Sequence, residues 1–448
     1  MNSCSQGRTL QQVNNTCWFH TAVNGFLFSR KGRQILWDAY REYKGPLKPS
    51  NTCSRRGVLP LDQFWAFVVA RLEKRHVSTS ETNVIHELRP YSDISSGNGT
   101  DVVLLCQKVF GQVNLFGMAH RFEEWRISKS KIVSGAMIGR TSFRGDILYS
   151  IGITGFIYPI IGHWAWGPGG VLAVYGFWDF AGSTVVHTIG GVASLAGAIV
   201  LGPRLGRIFK RDGGGMPPAH NLTLGAVGAF ILWFGWYGFN PGSTLSAVDM
   251  QGIGRVATNT TLAACSGGMV AMYLALWFGD TKGKFDLGFT VNGVLGGLVA
   301  ITCPCYWVNT FGAVAIGAGA GLVVYLVTNL LEYLRIDDPI GAVPVHGAAG
   351  IWGTWALGLF ACGKFGVTGP TGADNSAPLK GLLYGGGTDL LTKQVVGNLA
   401  IVVATFAVSF ILMWVINKLP NPWKLRVEPE GETLGLDVFE HGSEAYTA

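Results

Sequence analysis

The sequence predicts an all-α polytopic membrane protein, with about eight transmembrane helices and a small N-terminal soluble segment. Three observations carry that expectation. Only 14% of the 448 residues are charged, against about 25% in an ordinary soluble domain. Long apolar blocks recur between residues 146 and 417. Basic residues gather in every second connection between those blocks. The 64 glycines point the same way, because glycine lets membrane helices pack closely.

A spanning helix needs about 20 mostly apolar residues. Such blocks run over 146–165, 181–202, 221–240, 256–278, 287–304, 309–331, 344–362 and 394–417. Nothing before residue 131 qualifies. The Leu59–Leu72 stretch is too short and holds Asp62 and Arg71, and Val109–Ala119 is shorter still. Residues 1–130 are mixed and basic, and the first 25 show no apolar core, so no signal peptide is expected. The expected division is a soluble basic segment 1–130, a transmembrane domain 131–420 and a cytosolic tail 421–448.

Charge in the connections sets the expected orientation. One set holds Arg140 and Arg144, then Arg204, Arg207, Lys210 and Arg211, then Lys282 and Lys284, then Arg335, then Lys418, Lys424 and Arg426. The alternate connections, 165–180, 240–255, 304–308 and 363–393, carry few basic residues for their length. Positive charge stays on the cytosolic side, so the first set is expected there. An even number of spans then puts both termini in the cytosol. The net charge of +7 belongs to this pattern and implies no nucleic-acid partner. The eight cysteines show no paired metal-ligand spacing and most are expected as free thiols, with no metal and no cofactor.

Ionisable residues inside a membrane span are costly and therefore functional candidates. Here they are Asp179 at a helix entry, His187 and His346. Asp179 and His187 are eight residues apart, just over two helical turns, so they lie near one face.

At these residues a resemblance appears. Asp179-Phe180-Ala181-Gly182-Ser183-Thr184-Val185-Val186-His187 resembles a signature of the ammonium transporter family, which is related more distantly to the Rh proteins. Trp233-Phe234-Gly235-Trp236-Tyr237-Gly238-Phe239-Asn240-Pro241-Gly242-Ser243 resembles a second signature. Asp337-Asp338-Pro339 with Val345-His346-Gly347 resembles a third, and Gly435-Leu436-Asp437 with His441-Gly442 and Ala445-Tyr446 resembles the regulatory tail. The likeness is to the branch found in cyanobacteria, algae and plants.

The resemblance implies that the blocks correspond to helices 4–11 of an eleven-helix fold. Lys131–Phe143 then matches the end of the third helix and the loop after it, and upstream of that the match stops. The absent part would have supplied one of two gating phenylalanines and half of an inverted repeat, whose shared interface carries the substrate path. The implied function is transmembrane passage of ammonium or ammonia, with methylammonium as analogue, in a multi-pass cell-membrane homotrimer, not an enzyme. A nitrogen-signalling protein of the PII type is an implied partner beside the lipid bilayer.

Residue by residue, the resemblance makes His187 and His346 the twin pore histidines. Neutral imidazoles that share a proton offer one donor and one acceptor. The bland alternative is two histidines satisfied by helix packing. Trp166, Phe239 and Ser243 match a recruitment site, where aromatic faces attract a cation and a hydroxyl accepts its hydrogen bond. The bland alternative there is an interfacial aromatic belt. The Trp166 loop carries one extra residue, Pro168, relative to some members. Asp179 is expected to hold backbone at a helix start, and Trp236 and Asn240 to pack and cap.

Two other readings belong beside this one. A chain that keeps the binding residues without the first helices could be a non-conducting ammonium sensor. In residues 1–130, Asn14-Asn15-Thr16-Cys17-Trp18-Phe19 resembles the nucleophile box of papain-fold cysteine hydrolases, with His20, His76, His86 and His120 as available partners. The tail has Phe439 where the family carries a phosphorylated threonine, so docking is expected to regulate there instead. Glu428, Glu430, Glu432 and Asp437 would face Arg140, Arg144, Arg204 and Arg207.

Overall fold

The structure is a computed structural model that describes residues 132–443, apart from 218, 246–248, 281–282 and 366–377. The Cys17 box and its histidines lie outside the described residues, as do Ala445 and Tyr446 of the tail.

All eight apolar blocks are helical. The first is a rod made of α1 (Phe143–Gly152), a π-helical turn (Ile153–Ile157) and α2 (Tyr158–Trp166), with a short α3 (Val171–Tyr175) after it. The second joins a π turn (Ser183–Thr188) to α4 (Ile189–Leu201). Then come α5 (Leu222–Phe239), α6 (Met250–Phe278), α7 (Leu287–Thr302) and α8 (Thr310–Leu334). A further π turn (Val343–Ala348) leads into α9 (Ala349–Phe360), and α10 (Asp389–Asn417) ends the bundle. The tail forms α11 (Pro429–Leu434) and α12 (Leu436–His441).

Among the described residues, six of these helices are long and apolar enough to cross a membrane, and α7 is apolar but shorter. The segment through α9 is diluted by His346 and by its glycines and tryptophans. Two starts fall earlier than the apolar pattern suggests. The polar starts of α6 and α10 have partners, one distant and one within the helix: Arg255 Nε donates to Tyr306 O at 3.0 Å, and Lys393 pairs with Asp389 one turn away at 2.6 Å. Four starts follow from side-chain caps. Ser142, Asn221, Asp286 and Asn309 each accept the N–H three residues on, satisfying a backbone donor the helix leaves unpaired.

Small residues dominate the contacts among α6, α7 and α8. Ala263, Ala264, Gly267, Ala271, Gly293 and Gly297 are buried there, which brings backbones close. Cys303, Cys305 and Cys362 are buried free thiols and Cys265 is an exposed one, while the other four cysteines fall outside the described residues.

The basic connections meet at one end of the bundle. Arg140 is fully buried, and donates to Gly202 O at 2.7 Å and to Asp337 O at 2.7 Å. The Asp337 carboxylate accepts from Arg204 Nε at 2.8 Å, Arg204 Nη2 at 2.9 Å and Arg204 N at 3.0 Å. Arg207 bridges Asp337 and Glu332, and Lys210 Nζ reaches Asp280 at 2.6 Å. The connection after α7 lies at the other end of the helices. Asn259 Nδ2 donates to Cys305 O and Val308 O, both at 2.9 Å, and Cys362 N donates to Trp307 O at 3.0 Å.

Within one chain, this network occupies three of the four loop arginines named as partners for the tail acids. Arg140, Arg204 and Arg207 are already satisfied by Asp337 and Glu332. Among the described residues, Glu432 is the one tail acid that reaches the loops, accepting from Leu205 N at 3.0 Å while it pairs with Arg426 of the tail itself at 2.7 Å.

Burial alone would raise the Asp337 carboxyl. Hydrogen bonds from Arg204 and the charges of Arg204 and Arg140 overturn that and hold it below the usual carboxylate range. Its contribution is therefore complete above the ordinary carboxylate value of about 3.9, and is lost as pH falls through the lowered one. Asp337→Asn leaves three arginines without their shared anion. It should cost on the order of 3–5 kcal/mol, read as a lowered unfolding midpoint in detergent. Asp212→Asn, at an exposed pair with Arg335, should leave that midpoint unmoved.

Candidate functional site

The site is built from one local arrangement that occurs twice. Asp179, Gly182, His187 and Gly191 are spaced as Asp-x2-Gly-x4-His-x3-Gly, and Asp338, Gly341, His346 and Gly350 repeat that spacing. In each copy the aspartate holds the start of a π turn. Asp179 Oδ1 accepts from Gly182 N and Ser183 N, and Oδ2 from Thr184 N and Val185 N, at 2.8–3.0 Å. Asp338 Oδ1 accepts from Gly341 N and Ala342 N, and Oδ2 from Val343 N, at 2.7–3.1 Å. Negative charge at these N–H groups opposes the partial positive charge of the helix start. The glycine of each copy has positive φ, 116° at Gly182 and 77° at Gly341, where a side chain would be strained.

The two copies cross at the last glycine of the first one. A Cβ on Gly191 would lie 2.0 Å from Gly347 N, so backbone meets backbone there. Gly350 approaches Ser183 O and Thr188 Oγ1 in the same manner, with 2.5 and 2.6 Å to an added Cβ. Each π turn carries its histidine in its last turn.

The crossing brings His187 and His346 together. Their Nδ1 atoms are 3.2 Å apart and their rings stack at 5.3 Å between centroids. Two protonated Nδ1 atoms cannot make this contact, so one ring donates and the other accepts. Trp236 stacks on His187 at 5.2 Å, and Phe239 lies 5.7 Å from both rings. Trp236 Nε1 donates to Thr302 Oγ1 at 3.0 Å, which fixes the indole against α7.

The remaining sequence candidates take these places. Asn240 is fully buried; its N–H donates to Trp236 O at 2.9 Å and its Nδ2 to Thr260 Oγ1 at 3.1 Å. Ser243 Oγ donates to Phe239 O at 2.8 Å and keeps acceptor capacity on its oxygen. Trp166 is 39% exposed at the end of α2. Its Nε1 donates to Asp179 O at 2.7 Å and its ring edge lies over Gly182. Asp179 is therefore tied by its carbonyl to Trp166 and by its carboxylate to the turn that carries His187.

Sequence reasoning gave Asp338, Gly191 and Gly350 no role, although the repeated Asp-x2-Gly-x4-His-x3-Gly spacing was there to find. It also missed a buried polar link between helices. Asn398 Nδ2 donates to Thr184 Oγ1 at 2.8 Å, and Thr184 Oγ1 shares a hydrogen bond with Thr354 Oγ1 at 2.5 Å. That link ties the first π turn to α9 and α10.

Known proteins resemble this chain in both sequence and fold. The model of the Ammonium Transporter Family matches residues 111–446. Ammonium transporter Amt2 of Archaeoglobus fulgidus is 43% identical over 327 residues, covering 70% of this chain and 67% of that protein. The putative ammonium transporter sll1017 of Synechocystis is 44% identical over 315 residues, covering 69% of this chain and 64% of that protein. Putative ammonium transporter 1 member 5 of Arabidopsis thaliana is 37% identical over 343 residues, 71% of this chain and 67% of that protein. The chain thus spans about two thirds of the length of these relatives. Among solved structures, a Sensor Amt Protein matches with a TM-score of 0.61 at 28% identity, over 95% of this chain and 94% of that one. Saccharomyces cerevisiae Mep2 matches with a TM-score of 0.60 at 27% identity, over 68% of each chain. With three quarters of its length under the family model and a helical membrane bundle of the same fold, the chain belongs to the ammonium transporter family.

Proposed function

We propose that this chain moves ammonium across a membrane as ammonia, through a corridor in which His187 and His346 handle the proton. The observation that carries the reading is the 3.2 Å contact between their Nδ1 atoms, inside helices and beside Trp236 and Phe239. A bare cation in such surroundings loses its hydration at high cost, while neutral ammonia does not. A ring that accepts and a ring that donates can take a proton from one side and return it. Trp166, Phe239 and Ser243 are the proposed recruiting residues. Aromatic faces attract a cation and the Ser243 oxygen accepts one of its hydrogens. Potassium has no hydrogen to donate and gains only part of this. Asp179, Trp236 and Asn240 are proposed to hold the site's backbone and rings.

The proposed orientation follows from charge. The end that collects Arg140, Arg204, Arg207 and Lys210 faces the cytosol, and both termini lie on that side. The assembly is proposed as a homotrimer, with the tail as the contact for a PII-type protein. Residues 1–130 are proposed as a separate segment, although the family match reaches back to residue 111.

Methylammonium uptake by cells expressing the full chain is the test. Uptake should fall to background in His187→Ala and in His346→Ala while the protein stays folded. Wild-type uptake in the double variant would remove the pore assignment, and binding without uptake in the parent chain would make it a sensor. The crossing glycines give a sharper contrast. Gly191→Ala places a Cβ 2.0 Å from Gly347 N and should abolish uptake, whereas Gly347→Ala meets nothing nearer than 3.4 Å and should keep most of it. Equal losses in the two would mean that this crossing does not set the histidine contact. A cysteine placed at exposed Gly215 should label from the cytosolic side only.

A further inference from the structure

α10 lies outside both copies of the repeated arrangement, yet its buried face grips the first of them with two side-chain amides. Gln394 and Asn398 stand one turn apart on that face, and both are fully buried. Gln394 holds the residue before Asp179 at both ends: its Oε1 accepts from Trp178 N at 2.8 Å and its Nε2 donates to Trp178 O at 2.7 Å. The second copy is held at the corresponding carbonyl. There the residue before the aspartate is Asp337, and Arg140 Nη2 donates to its carbonyl, also at 2.7 Å. Asn398 begins a chain of bonds with a fixed direction. Its Nδ2 donates to Thr184 Oγ1 at 2.8 Å, and Thr354 Oγ1 gives its hydrogen to Gly350 O at 3.0 Å. A hydroxyl has one hydrogen to give, so Thr184 donates in the 2.5 Å contact between the two threonines. The chain thus runs from α10, through the turn that carries His187, to the glycine that ends the second copy. Further along the same face, Thr405 Oγ1 and Ser409 Oγ are buried without a hydrogen-bond partner.

We propose that Gln394 and Asn398 are positioning residues that set where His187 stands, each through a different part of the site. The functional weight of this rests on the histidine corridor proposed above. Gln394 fixes the backbone that leads into Asp179. Asp179 in turn carries two things, because its carbonyl accepts the Trp166 indole and its carboxylate seats the first turn. Loss of the Gln394 amide therefore moves the recruiting ring and the histidine together. Asn398 acts beyond that point and has no link to Trp166. Its chain of bonds fixes the His187 turn against α9, the helix that continues the turn of His346. Loss of the Asn398 amide therefore changes the histidine contact alone. If these residues only filled space, their volume would decide; in this arrangement the amide and the hydroxyl decide.

Two measurements on the full chain test this: methylammonium uptake kinetics, and imidazole nitrogen magnetic resonance of the purified protein, which reads the histidine contact without any transport. Asn398→Leu keeps the volume and loses the donor. It should lower the maximal uptake rate at least about tenfold and leave KM unchanged. Gln394→Met should lower the rate and also raise KM at least about threefold, since Trp166 loses its fixed anchor. Thr184→Val breaks the Asn398 link from the other side and should repeat the Asn398→Leu result, with no further loss in the double variant. Thr184→Ser, which keeps the hydroxyl, should recover most of the rate. Ser409→Ala removes a buried hydroxyl without a partner and should match the parent chain in both measurements. The Nδ1 resonances of His187 and His346 should move in Asn398→Leu and in Thr184→Val. Reduced uptake with unmoved resonances would overturn the positioning role, and so would a Thr184→Val variant that outperforms Thr184→Ser. A KM that rises equally in Asn398→Leu and Gln394→Met would overturn the division between them. Moved resonances with parental uptake would leave the positioning role standing and reject the histidine corridor instead. Should Asn398→Leu fail to fold, the two Thr184 variants decide the matter alone.

Discussion

The geometry of the candidate site depends on one contact without side chains, that of Gly191 against Gly347. Both histidines are within four residues of it, one on each crossing segment. Any Cβ at Gly191 would sit inside the opposing peptide, so the helices could not cross at this distance with another residue. The imidazoles then have little room to choose their separation. Trp236 on one side and the partner ring on the other fill what the crossing leaves. The two aspartates act on the same construction from its outer ends. Each holds three or four backbone donors at the entrance of its turn, so each histidine is carried by a segment fixed at its start and at its crossing.

Much of the bundle was legible in the sequence because spanning helices must satisfy their own backbone and face lipid with apolar groups. Composition therefore marks them directly, and caps such as Asn221, Asp286 and Asn309 mark their starts. The basic end was legible for a similar reason, since loop charge is read residue by residue. What composition could not show was the π character of Ser183–Thr188 and Val343–Ala348. A π turn differs from an α turn by one hydrogen-bond step, and no apolar period registers that. The polar start of α6 was missed because its partner, Tyr306, is brought near only by folding, and that of α10 because an apolar pattern does not register a charged pair one turn apart.

The histidines were found as isolated costs in an apolar setting, which is a signal a single sequence can give. Their meeting could not be found that way, because it depends on glycines far apart in the chain. Glycine is so common here that Gly191 and Gly350 did not stand out by identity. Only their identical offsets from two histidines distinguish them. The tail acids differ in the opposite direction. Their charges suggested partners among the loop arginines, but within the chain Asp337 and Glu332 take three of the four, Arg140, Arg204 and Arg207.

Asp337 and Asp338 are neighbours with unlike duties. One gathers Arg140, Arg204 and Arg207, and the other seats the turn that bears His346. The peptide between them is itself clasped, because Arg140 Nη2 donates to Asp337 O at 2.7 Å. A planar peptide has no soft rotation of its own. The loops at one end of the protein and an imidazole deep within it are thereby mounted on a shared rigid plate. Evolution can alter these loops freely only while that plate keeps its place.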